Sequence, residues 1–218
     1  MSLSPQILLS NKVREKCVAK FKELPSYIQT ENLSKPRAAV LVPLFTQNGE
    51  VHLLYTLRSS NLKNHSGQVS FPGGKVDENE SLIETALRET HEEIGVPASS
   101  VDIWGEMPPM QGRDGNILIT PVVGVIKDLD VKKLNPNIHE VAEIFSVSMS
   151  SFCNKNNHAH FKYNDIMLPV FLSGNHKIWG ITGLITHMFL QCFLPKELYK
   201  VDFSRKKFTL DELLPSKL

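Results

Sequence analysis

FPGGKVDENESLIETALRETHEEIGV, residues 71–96, is the stretch from which the rest of the chain is read. A Pro-Gly-Gly segment (72–74) leads into one charged helix, which Gly95 and Pro97 end. Gly73 and Gly74 predict a tight loop that exposes its backbone. Leu82, Ile83, Ala86, Leu87 and Ile94 recur at helical spacing and predict a face docked on a core. Glu89, Glu92 and Glu93 stand three and four apart, so they share a narrow arc beside that face. Like charges crowded in this way repel, and a hard divalent cation on the arc relieves the repulsion. The plain alternative is a solvated charged face, which Glu80, Glu84 and Arg88 fit through ion pairs at four-residue spacing.

Five residues separate Gly74 from Glu80, and seven more lead to Arg88-Glu89-Thr90-His91-Glu92-Glu93-Ile94-Gly95-Val96. This pattern resembles the Nudix box, G-x5-E-x7-R-E-U-x-E-E-x-G-U, where U is a bulky aliphatic. Its one departure is Thr90, which falls on the apolar stripe, where its methyl can pack. The resemblance implies an α/β (α+β) chain with the Nudix fold, an α/β/α sandwich around a mixed sheet. It implies that Glu89, Glu92 and Glu93 hold Mg2+ or Mn2+, with the Gly73 carbonyl as a further ligand. The metals would neutralise a pyrophosphate and acidify a water. Glu92 or Glu140 would take the water's proton, and Arg88 would orient the glutamates through Glu80 or Glu84.

Upstream stand Leu54-Tyr55-Thr56-Leu57-Arg58-Ser59, then Lys63, Gly67 and residues 71–74. They resemble the coenzyme A diphosphatase signature of the same family, L-L-T-x-R-[SA]-x3-R-x3-G-x3-F-P-G-G. Tyr55 replaces a Leu and Lys63 an Arg; lysine keeps the charge but loses bidentate geometry. The resemblance implies substrate binding by Arg58, Lys63, Gly67, Gly74 and Lys75, whose cations suit a pyrophosphate and a ribose phosphate. It implies hydrolysis of coenzyme A (CoA) and its derivatives to adenosine 3′,5′-bisphosphate and 4′-phosphopantetheine or its acyl form. Hydrolases of ADP-ribose, NADH and other nucleoside diphosphate derivatives share the box and are the nearest rival. A catalytically silent nucleotide-binding domain is a rival from another class, and retention of all three carboxylates argues against it.

A net charge of +1 leaves no electrostatic footprint for nucleic acid or a membrane surface. Cys17, Cys153 and Cys192 form no pair with metal or redox spacing, which predicts an intracellular setting. No long apolar run follows residues 1–5, so no secretory signal is expected. Residues 6–23 predict one amphipathic helix with Ile7, Leu8, Val13, Cys17, Val18 and Phe21 on one side. It reads as a packing helix rather than a transit peptide, since Glu15 and Glu23 interrupt its basic character. The expected division is an N-terminal helix and linker (1–36), the Nudix domain (37–195) and a C-terminal tail (196–218). The tail ends Ser216-Lys217-Leu218, a receptor-read peroxisomal address, so peroxisomal location and an import receptor as partner are expected.

Residues 38–45 and 51–57 predict a hairpin turning at Asn48-Gly49, and 58–70 a polar loop. Residues 101–107 and 117–126 predict strands, with Pro121 marking an edge or a bulge. A late hairpin is expected from 161–163 and 166–172, with Asn164-Asp165 at its turn and His158 and His160 in a surface loop. Residues 178–194 are the most apolar, but too short and too rich in Thr182, Thr186, His187 and Gln191 for a membrane span. A buried helix is expected there.

Overall fold

A computed structural model describes residues 3–25, 35–62, 66–112, 115–163 and 166–214. The helix expected over 6–23 is two helices, Pro5–Leu8 (α1) and Asn11–Phe21 (α2). Ser10 stops the first and caps the second, its hydroxyl accepting the Val13 N–H at 3.4 Å. Leu8, Cys17 and Phe21 are buried, while Ile7 is exposed.

Arg37–Gln47 (β1) and Glu50–Arg58 (β2) form the first hairpin, with Asn48 and Gly49 at φ 51° and 77°. Positive φ at both turn residues matches the right-handed twist of the strands, hence Asn-Gly. Along β1, Ala39, Leu41 and Phe45 face one side while Val42 and Leu44 face the other. Both faces are buried, so the strand reads as an unbroken apolar run.

Val69–Ser70 (β3) pairs with β2, and Gly73–Lys75 (β4) pairs with β1. β1 and β2 therefore splay apart beyond their turn, and segment 69–75 fills the wedge between them; Pro72 O accepts the Leu41 N–H at 2.8 Å. The glycine pair expected in a loop is thus a short strand inside the sheet. Leu82–Ile94 (α3) packs over β1 and β4 through Ala86, Leu82 and Ile83. Ser81 and Glu84 form its capping box, and Gly95 closes it at φ 77°.

Val101–Glu106 (β5), Met110–Gln111 (β6) and Leu118–Ile126 (β7) complete that edge. β7 runs parallel to β1 and antiparallel to β5, which makes the sheet mixed. Pro121 is not at an edge: it sits inside β7 opposite Val40. Its carbonyl accepts the Met107 N–H at 2.9 Å. The N–H it lacks therefore falls on the same side, where residues 107–109 link β5 to β6. Val141–Ser148 (β8) pairs with β2, and Met149–Cys153 (α4) follows.

His158–Tyr163 (β9), Ile166–Ser173 (β10) and His176–Ile178 (β11) form a second sheet. Asn164 and Asp165, expected at its hairpin turn, lie outside the described residues. Gly180–Phe193 (α5) covers the face of the large sheet opposite α3, together with α2. No helix among the described residues is long and apolar enough to cross a membrane. His158 and His160 are not surface loop residues but buried in β9. Their ring nitrogens are committed to Phe152 O and Phe203 O, each at 2.7 Å.

Residues 196–214, expected as a tail, also pack. Lys207–Phe208 (β12) runs parallel to β9, and Leu210–Leu213 (α6) buries Leu213 beside Phe208, Ala159 and Val170.

Candidate active site

The wedge brings the glycine pair under the acidic end of α3. Gly73 lies at φ 155°, and a Cβ there would run into Ala39 O and Val40. A Cβ on Gly74 would overlap the Glu89 carboxyl. The absence of side chains at 73 and 74 is what lets the helix carboxylates approach the sheet.

The three glutamates of the arc differ in setting. The Glu92 side chain is 56% exposed and that of Glu89 17%, whereas Glu93 is buried. Arg88 ties the outer two to Glu80. Its Nε and Nη2 donate to the two Glu80 oxygens at 2.9 and 3.0 Å, and its Nη1 donates to Glu89 at 2.9 Å and Glu92 at 3.2 Å. These charge-assisted bonds hold the Glu80 carboxyl down to about 2. Glu84 takes no part, because its carboxylate caps the helix on the Ser81 N–H at 2.8 Å. Thr90 is buried, its hydroxyl donating to Ala86 O at 2.6 Å.

Burial pushes the Glu93 carboxyl up to about 8; the Arg58 charge opposes this rise, while Glu89 and Glu140 add to it. The Gly73 backbone also acts against the rise. Glu93 Oε2 is buried and has no hydrogen-bond partner. Burial likewise raises the Glu89 carboxyl, against the Arg88 guanidinium. Glu140 is close enough to act on both, and Asn137 holds it, donating from Nδ2 at 3.3 Å. The Asn137 N–H donates to Glu93 O at 2.8 Å, which locks that loop to the end of α3. In the sequence Asn137 ends an Asn-Pro-Asn run (135–137), and nothing in its spacing ties it to the helix.

The donor set suits a hard cation. It is all oxygen, Arg88 engages one oxygen each of Glu89 and Glu92, and Glu93 offers a buried oxygen with no partner. As they stand, no three His, Cys, Asp or Glu side chains among the described residues converge on one point. Of the expected substrate contacts, Gly67 turns at φ 67° beside Arg58, and Lys75 is exposed at the end of β4. Lys63 lies outside the described residues.

The NUDIX domain pattern matches residues 35–165, more than half the chain. This chain belongs to the Nudix family. Among curated Nudix proteins, the mouse (Mus musculus) mitochondrial coenzyme A diphosphatase NUDT8 is 43% identical over 173 residues, covering 74% of this chain and 80% of the relative. The human (Homo sapiens) protein of the same name is 41% identical, covering 72% and 70%. A MutT/nudix family crystal structure from Enterococcus faecalis superposes with a TM-score of 0.51 at 18% identity, over 84% of this chain and 74% of that one, which supports the Nudix fold. Both diphosphatase relatives are named mitochondrial, which overturns the peroxisomal address expected from Ser216-Lys217-Leu218. Nothing in the relatives' names points to the import receptor inferred from that tripeptide, and the tripeptide itself lies outside the described residues.

Proposed function

We propose that the chain hydrolyses the pyrophosphate of coenzyme A and its derivatives in a divalent-metal-dependent reaction. The observation that carries this reading is the likeness to the two NUDT8 diphosphatases across most of the chain. The buried, partnerless Glu93 oxygen beside Glu89, over a glycine pair, supports it. Glu89 and Glu93, with Glu92 and the Gly73 carbonyl, would hold Mg2+ or Mn2+. Bound there, the ions supply charge neutralisation at the pyrophosphate and acidify a water.

The chain's own residues do the rest. Arg88 keeps Glu89 and Glu92 in place. Glu140, pinned by Asn137, takes the proton of the attacking water, with Glu92 as the second candidate base. The water oxygen bonds to one phosphorus as the bridging P–O bond breaks. Adenosine 3′,5′-bisphosphate and 4′-phosphopantetheine, or its acyl form, leave. Lys75, Gly74 and Gly67 line the approach of the phosphates.

The test is product analysis with CoA, acyl-CoAs, ADP-ribose and NADH compared side by side in Mn2+ or Mg2+. CoA species are expected to be cleaved fastest, and ADP-ribose well ahead of them would sink the substrate assignment. Glu93→Gln is expected to lower kcat by about a hundredfold or more, the scale of losing one strong electrostatic contact to the transition state.

A further inference from the structure

Arg58 closes β2 where its register with β8 slips: Leu57 stands opposite Glu143, and Arg58 opposite Val141. Such a bulge bends a strand pair and re-aims the side chain beside it. Leu54, on the same face of β2, packs with Ile94 at the end of α3, so Arg58 follows along the side that carries Glu93. Its backbone is fixed from both directions. The Arg58 N–H donates to Gln68 O at 3.0 Å, its carbonyl accepts the Gly67 N–H at 3.1 Å, and the Ser59 N–H donates to Glu140 O at 2.8 Å. Arg58 Nε is buried without a partner, as is Glu93 Oε2. Arg58 is also the cation with the greatest influence on Glu93.

A buried carboxylate beside two others is costly unless a cation compensates it. Arg88 compensates Glu89 and Glu92 on the more exposed side. Arg58 stands on the sheet side. We propose that Arg58 is a positioning residue: it balances the carboxylate charge of Glu89, Glu93 and Glu140 and keeps Glu93 aimed into the site, instead of gripping a substrate phosphate. This inference rests on the metal-dependent reading given above.

Mn2+ titration of the metal-free protein, followed by electron paramagnetic resonance without substrate, tests it alongside kinetics. Arg58→Gln is expected to weaken Mn2+ binding about 10–100-fold, the range for losing a partner of a metal ligand. It should also lower kcat for CoA while leaving KM within about threefold. Arg58→Lys keeps the charge and is expected to recover part of the Mn2+ affinity. A raised KM with kcat and Mn2+ affinity intact would make Arg58 a phosphate ligand and overturn the proposal. If Arg58→Gln does not fold, Arg58→Lys is combined with Glu93→Gln. No further loss of Mn2+ affinity in that background is expected, and additive losses overturn the proposal. Should the wild type leave CoA intact, the substrate assignment fails while the Mn2+ titrations still decide the role of Arg58.

Discussion

Glu93 concentrates the chemistry of the site in one side chain. Burial lifts its carboxyl to about 8, so in metal-free protein it carries a proton through most of the neutral range. A cation must displace that proton. Mn2+ affinity is therefore expected to rise with pH, about tenfold per unit below pH 8, and to level off above it; a flat profile between pH 6 and 8 would contradict this. The sign for stability is opposite. The folded carboxyl titrates above its unfolded value, so the metal-free fold is steadiest when Glu93 is protonated. It loses that advantage as pH rises from the ordinary carboxylate range toward 8. The spacing of Glu89, Glu92 and Glu93 was legible because helix periodicity is a property of sequence. Their unequal burial was not, because it depends on Gly73, Gly74 and Arg58, which other strands deliver.

At the scale of the element, α3 works as a mount. Its acidic end holds the carboxylates, and its first turn is fixed by the reciprocal bonds of Ser81 and Glu84. Ser81→Ala is expected to lower stability by about 1 kcal/mol, read by urea unfolding, with kcat nearly unchanged. A loss of activity without loss of stability would show that the first turn also serves the reaction. The hairpin at Asn48-Gly49 and the helix end at Gly95 were readable, since positive φ selects these residues. Segment 69–75 was not. Rich in proline and glycine, it reads as a loop, and only the divergence of β1 and β2 makes it a strand. His158 and His160 misled in the same way: polar neighbours in sequence hid a buried strand whose ring nitrogens find backbone carbonyls. Pro121 looked like an edge marker and is central, because the N–H it lacks falls where β5 gives way to β6.

For the whole molecule, the layers explain why the ends of the chain matter. α2 lies on α5 and reaches β5, where Arg14 Nη1 contacts both Asp102 oxygens at 3.2 Å. The far end closes the second sheet through Phe208 and Leu213, and the buried Lys177 amine donates to Glu212 O. Ending the chain after Leu194 is expected to lower stability by roughly 5–9 kcal/mol, the burial of the three large apolar side chains Tyr199, Phe208 and Leu213. A melting temperature equal to that of the full chain would show that 196–214 is dispensable. A three-layer Nudix sandwich could be anticipated from the box, and the β9–β10 hairpin of the second sheet from its strand residues, but the closing strand could not: β12 is two residues long, with Phe208 opposite Phe161. The parallel pairing of β1 with β7 sets a timetable as well. Val40 cannot meet Pro121 until the intervening chain exists, and closing so wide a loop is slow. On the ribosome, then, the carboxylate helix emerges well before the strand that completes its platform, and the nascent chain passes through a stage that holds the acids without the site.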